Sequence, residues 1–381
     1  MRRSIVSIAM LVGLCAVAVG QQKSFIPVDG ANLKAKIEAA IVAGKANVAN
    51  GRFWIGYQFE ARPGVAVDFE VVDSDGGVYM SMDGMSMMFD PRHETRELGV
   101  FLLYDTTREG FIRAEVYNLR RNREYSNYPV YWAGHVSNEE SLNYLKSIID
   151  TPAPEMQRLA ERATFAIALH DDARVDAMLI EMIRRPVAEP MRSRAIYWLG
   201  NTPETTAKNA LFTEIVRNTQ ESSEARNAAM SALAMSRSAA VLPLLQNLFE
   251  TMSTHDLKRR ALTGIGRNDN NDAAATYLIH VAETEKDMEL RKTAIANLGR
   301  IAGQKSLGAL TSTLDTDGDT ELQKQAVIAI GRRPKDEAIP ILIRTARNHP
   351  KMAVRKVAVQ VLGQTGDERA VAFFREMLSK D

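Results

Sequence analysis

The sequence predicts a multidomain chain: an all-α solenoid of about seven helix pairs over residues 151–381, preceded by a small α+β domain with an antiparallel sheet over 23–150. Three observations predict it. A short apolar core recurs at near-constant spacing through the C-terminal part, β-rich runs separated by turn residues precede it, and 45% apolar with 25% charged residues is ordinary globular composition. Lys+Arg 48 against Asp+Glu 47 gives a net charge of +1, so no basic field draws nucleic acid and no acidic excess opposes folding.

The first 22 residues read as a secretory signal peptide. Arg2 and Arg3 precede an apolar run from Ile5 to Val19, and Ala18-Val19-Gly20 is a small-x-small cleavage site. The run is short for a membrane span, and retention as an anchor is the alternative. The expectation is export to a periplasmic or extracellular compartment, with no membrane span after cleavage. Cleavage removes Cys15, the one cysteine, so the exported chain has no thiolate and no disulfide.

Residues 23–150 lack the repeat. Asn32 to Val42 reads as a short amphipathic helix. Strands are expected at Phe53–Ala61, Val65–Val72, Leu98–Asp105, Phe111–Leu119 and Tyr128–Val136, with turns at Arg62-Pro63-Gly64 and Arg108-Glu109-Gly110. Alternation puts Ile112, Ala114 and Val116 on one face of a strand and Arg113 and Glu115 on the other. Asn138 before Glu139 and Glu140 predicts a capped helix to about Asp150, and Pro152 and Pro154 mark a linker.

The repeat core occurs seven times, led by Ala163, Ala195, Ala229, Ala261, Ala294, Ala326 and Ala358 at intervals of 32, 34, 32, 33, 32 and 32 residues. Leu or Ile stands four residues on, sharing a helix face with the alanine, which is small because a neighbouring helix approaches there. Gly or Ala follows, and the glycine is expected to end the helix in the left-handed conformation. Second apolar helices follow, as in Ala240-Val-Leu-Pro243, Ala338-Ile-Pro340 and Ala370-Val-Ala-Phe-Phe, with the prolines near their starts. Three residues before the alanine stand Arg192, Arg226, Lys258, Arg291 and Arg355, and five before it Glu224, Asp256, Glu289 and Glu321. This placement suits the helix dipole and allows charge ladders between units.

These units resemble HEAT repeats, of the short HEAT-like type first associated with phycobilisome lyases, over about residues 153–381. The resemblance implies antiparallel helix pairs stacked into a curved α-solenoid whose concave surface holds a protein partner. The first unit departs from the pattern, with Ala160 in place of the base and His170 in its turn. Residues 23–150 resemble no characterised family.

Candidate chemistry is sparse. Met80, Met82, Met85, Met87 and Met88 lie within nine residues, and thioethers are soft ligands suited to Cu(I); the alternative is a hairpin whose methionines pack on an apolar face. Arg120, Arg121, Arg123, Tyr125 and Tyr128 belong to a basic-aromatic stretch that would contact an anionic ligand or a partner. Asp315-Thr-Asp317-Gly-Asp319-Thr-Glu321 resembles half a calcium loop, but its order fails, and it reads as an acidic turn capping the next helix. Six scattered histidines make no metal motif, and no nucleophile elbow or phosphate loop occurs. The leading expectation is a non-enzymatic exported scaffold for a protein or peptide. Copper handling, or an enzyme with its site in the N-terminal region, are the alternatives.

Overall fold

The computed structural model describes residues 25–48, 50–67, 80–82, 85–88, 95–151, 156–185 and 189–379. The signal-peptide segment lies outside them, as do residues 68–72 of the expected strand Val65–Val72 and the linker prolines. Two compact units divide the chain, Met1–Asp171 and Asp172–Asp381.

The first unit contains β1 (Ile26–Pro27), α1 (Leu33–Asn47), β2 (Arg52–Glu60), β3 (Ala66–Val67), β4 (Met80–Met82), β5 (Met85–Met88), β6 (Glu97–Asp105), β7 (Gly110–Asn118), β8 (Val130–His135), α2 (Asn138–Ile149) and α3 (Gln157–Ala168). Its main sheet has the order β1-β8-β2-β6-β7. The expected antiparallel pairing holds across β2, β6 and β7, and β8 adds parallel pairings to β2 and β1. β7 ends at one edge of the sheet, and the chain must return past β6 and β2 to insert β8 on the far side, where it enters in the direction of β2. A small second sheet has the order β3-β5-β4.

Alternation along β2 sends Phe53, Ile55, Tyr57 and Phe59 to one fully buried face. Gly44 of α1 lies directly on the Phe53 ring, and Ser141 of α2 hydrogen bonds with Tyr57 at 3.1 Å. Trp54 faces the other way, and the returning segment covers it: Trp54 Nε1 donates to the Tyr125 carbonyl at 3.0 Å. Tyr125, Phe101, Phe25 and Trp132 complete an aromatic cluster there. That cover holds Tyr125, Ser126 and Asn127 at φ of 49°, 54° and 62°, a left-handed run of non-glycine residues. Each such residue costs about 1–2 kcal/mol, so the aromatic packing and the indole hydrogen bond must hold the turn in place.

Two local expectations need correction. Ala114 and Val116 are buried as expected, but a register shift near Leu103 and Tyr104 turns Ile112 away from them, and it packs against the aromatic cluster. The cap of α2 is Ser137, whose side chain accepts from the Glu140 N–H while Glu140 bonds back in a capping box. Asn138 is the first helical residue. Its side chain instead ties the end of β2 to the turn after α3, bonding Glu60 N–H, Glu60 carbonyl and Asp171 carbonyl at 3.0 Å each.

The helix α3 carries the first repeat core, Ala163, and packs on α2 and β7 within this unit. His170, in the turn after it, is buried: it stacks on Phe59 at 4.0 Å, and its Nε2 and Nδ1 lie 2.7 Å from Ser141 Oγ and the Ala166 carbonyl.

The second unit is helical throughout its described residues: α4 (Arg174–Arg184), α5 (Glu189–Gly200), α6 (Thr206–Arg217), α7 (Ser223–Met235), α8 (Leu242–Thr251), α9 (His255–Ile265), α10 (Asn271–Thr284), α11 (Met288–Leu298), α12 (Gln304–Thr316), α13 (Thr320–Ile330), α14 (Lys335–Asn348), α15 (Met352–Gln364) and α16 (Glu368–Leu378). The core helices α5, α7, α9, α11, α13 and α15 stack in succession, and each even-numbered helix from α4 to α14 lies against the core helix that follows it. All seven repeat alanines are 0% exposed, the burial that their small size permits between close helices.

The repeat glycines do not act as expected. Gly266, Gly299 and Gly331 have φ of −69°, −64° and −62°, right-handed values open to any residue. They are glycine because the next core helix is too close for a side chain. A Cβ on Gly266 would sit 2.6 Å from Asn297, and one on Gly299 would sit 2.5 Å from the Ala329 carbonyl oxygen. One on Gly331 would run into Val361. Pro243 is at the start of α8 as expected, but Pro340 lies inside α14, in its second turn.

Candidate functional site

The periodic charges of the second unit have a mainly architectural use. Arg192, Arg226 and Arg291 each send Nε to a carbonyl at the end of the preceding helix: Ile183 at 2.7 Å, Val216 at 2.9 Å and Ala282 at 2.7 Å. Where the base is replaced by Gln323, its amide donates to the Leu314 carbonyl at 3.0 Å. Arg355 bonds the His349 carbonyl at 2.6 Å, and Lys258 lies 4.9 Å over the Phe249 ring. Apart from Lys258, these donors satisfy carbonyls that helix ends leave without intrahelical partners. The acids act within their own helices, Glu289 with Lys292 and Glu321 with Lys324, both at 2.9 Å.

Charge ladders between units also occur. Lys208–Asp176, Arg237–Asp269, Lys305–Asp272 and Arg369–Asp336 each join residues 32 or 33 apart, and His255 Nε2 lies 3.5 Å from Asp287 at the same spacing. Arg192–Glu221 and Arg291–Asp317 are the better shielded inter-unit pairs. Most of the others are exposed, so each adds at most about 1 kcal/mol. The Asp315–Glu321 segment is the expected acidic turn: Asp319 caps α13 by accepting from the Glu321 and Leu322 N–H groups, Asp317 pairs with Arg291, and Asp315 with Arg344.

The five basic-aromatic candidates are held in different ways, and Tyr125 is buried. Arg120 pairs with Glu97 at 2.8 Å, and Glu97 is held below the usual carboxylate range mainly by that hydrogen bond. Arg123 lies 4.0 Å over the Tyr117 ring, tying the returning segment to β7. Arg121 is half-buried and its N–H bonds the Asn118 carbonyl. Tyr125 is in the aromatic core at 7% exposure. Tyr128 is half-buried beside Arg52, whose guanidinium bonds first to Asp105 and then to Tyr128.

The methionine segment forms the hairpin β4–β5, with Met80 opposite Met87, Met82 opposite Met85, and Met88 opposite Ala66 of β3. Asp83 and Gly84, between the strands, and His93 lie outside the described residues. Among the described residues no three His, Cys, Asp or Glu groups converge as a metal site. His349 is buried and structural: Nδ1 accepts from the Lys351 N–H and Nε2 donates to the Leu314 carbonyl, both at 3.2 Å. No helix among the described residues is long and apolar enough to cross a membrane.

The feature the sequence reading missed is an arginine immediately after each of three repeat glycines: Arg267, Arg300 and Arg332, all exposed. Their recurrence six residues after the buried alanine is legible in the sequence, but an exposed arginine carries no periodic burial signal to mark it.

Residues 309–381, which contain α13 to α16, match the family model for HEAT repeats. No curated protein sequence matches the chain. Human deoxyhypusine hydroxylase is a similar solved structure, at 15% identity and TM-score 0.32, covering 63% of this chain and 90% of its own. The CpcE–CpcF complex of the phycocyanin lyase from a Nostoc species is another, at 14% identity and TM-score 0.33, covering 64% and 94%.

Proposed function

We propose that this chain is an exported, non-enzymatic scaffold whose helical repeats offer an extended surface to a protein or peptide partner. One observation carries the reading: the second unit buries its repeat alanines by stacking unit on unit, which leaves its outer helix faces as an extended surface. The HEAT-repeat match points the same way, since repeats of this kind commonly mediate protein binding. The test uses the intact mature chain, immobilised and exposed to extract of its source cells, with cross-linking to map the contact. Enrichment of a defined protein cross-linked to residues 172–379 is the expected result. Failure to enrich any protein, together with turnover of a small molecule, contradicts it.

Copper handling is the second reading, favoured by the hairpin register that sets two pairs of methionines opposite one another. A Cu(I) titration against a competing chelator, repeated on M80L/M82L/M85L/M87L, tests it. The reading requires that the variant bind at least tenfold more weakly, and equal affinities remove it.

A further inference from the structure

The geometry points to a specific docking row on the scaffold: Arg267, Arg300 and Arg332 together bind an extended acidic segment of a partner protein with a carboxylate at every third residue. The inference rests on the scaffold reading and names the chemistry of its partner.

Each arginine follows a glycine at which an added Cβ would meet the next core helix. The row is therefore fixed to the backbone at close helix contacts, one guanidinium per unit. Arg332 reaches back to the Ala296 carbonyl on α11 at 3.4 Å, and Arg300 lies 3.4 Å from Asn297 Oδ1 on its own helix, which brings the two heads towards the same helix end. Both contacts are long and engage single nitrogens, leaving most of each five-donor fork open.

Among the described residues none of the three arginines has an ion-pair partner, whereas arginines elsewhere in the unit are routinely paired. Two carboxylates of the adjoining turns are engaged with other bases, Asp269 with Arg237 at 3.1 Å and Asp272 with Lys305 at 3.2 Å. Partial burial and the charges of Arg267 and Arg332 hold the Arg300 guanidinium below its ordinary pKa, so the row carries mutual repulsion that an incoming anion relieves.

Spacing selects the ligand. Packed helices lie about 8–10 Å apart, so the row repeats at that distance. A polyproline II chain has three residues per turn and rises about 9 Å in that turn, presenting every third side chain on one side. An acidic residue at every third position therefore meets successive arginines, each offering bidentate geometry to a carboxylate. A cation at a helix C-terminus also favours the dipole, which accounts for one arginine at a time but not for three successive units whose arginines form no ion pair among the described residues.

The probe is a fluorescent (Glu-Pro-Pro)6 peptide, compared with an isomer whose six glutamates are contiguous, using anisotropy on the intact chain at low and rising salt. The expected result is several-fold tighter binding of the regular peptide, weakening as salt rises. R267Q/R300Q/R332Q should lose at least tenfold in affinity, while R267K/R300K/R332K retains part of it, with circular dichroism showing both variants folded. Equal binding by the Gln variant, equal affinity for the two isomers, or tighter binding of a single-stranded RNA or of phosphatidylglycerol vesicles overturns the proposal. If neither peptide binds while cross-linking places a protein partner elsewhere on residues 172–379, the row falls and the scaffold reading stands.

Discussion

Gly299 and Gly363 occupy the same place in two units, five residues after the buried alanine, and meet opposite surroundings. A Cβ on Gly299 would strike the backbone of Ala329, whereas one on Gly363 has nothing within 4 Å. Backbone cannot step aside as a flexible side chain does. Gly299→Ala should therefore destabilise the protein by about 1–3 kcal/mol, and Gly363→Ala should stabilise it by up to about 1 kcal/mol. Urea denaturation of the two single variants checks both signs, and equal effects would contradict the close-approach account. His170 makes a similar point in the first unit. His170→Ala leaves Ser141 Oγ and the Ala166 carbonyl short of a partner and opens space beside Phe59, so a loss of about 2–4 kcal/mol is expected in the same measurement. A loss under about 0.5 kcal/mol would show that the histidine is not part of that core.

At the scale of elements, acid titration reads out the caps. Asp367 caps α16 by accepting from the Arg369 N–H, and the hydrogen bond from the Arg369 side chain first, then that backbone bond, pull its carboxyl down to about 2. A depressed folded value means that the stabilisation is complete above the ordinary carboxylate range and is lost as pH falls through about 2. The Arg369 amide shift should stay flat above about pH 4, the unfolded carboxylate range, move as the carboxyl titrates below it, and show no such step in Asp367→Asn. A step centred at an ordinary carboxylate pKa would contradict the cap geometry. Asp105 does the same for the β6–β7 turn: the Thr107 hydroxyl, then Arg52, depress it strongly, so that turn resists acid further still.

Elements were legible where one period governs them. The alanine-to-leucine spacing of the core helices names their buried face, because burial imposes that period directly. The parallel insertion of β8 was not legible, since pairing partners depend on where a returning segment crosses the sheet. Ile112 was misplaced because one extra residue in a strand reverses every face beyond it. The repeat glycines were found but given the wrong reason, because a left-handed cap and a close helix crossing ask for the same residue. The arginine row was visible only as recurrence; that its members form no ion pair among the described residues is a property of three dimensions.

For the whole molecule, the claim on which the rest depends is that residues 172–379 are stacked units stabilised by their nearest neighbours. A stack of this kind loses stability unit by unit, whereas a domain with one centre loses it all at once. The most direct measurement is amide hydrogen exchange on the chain truncated after His349, which removes α15 and α16. The account predicts that protection falls in α13 and α14, which lose packing partners, and is retained in α5 to α9. Loss of protection across all the helices of the second unit would contradict it.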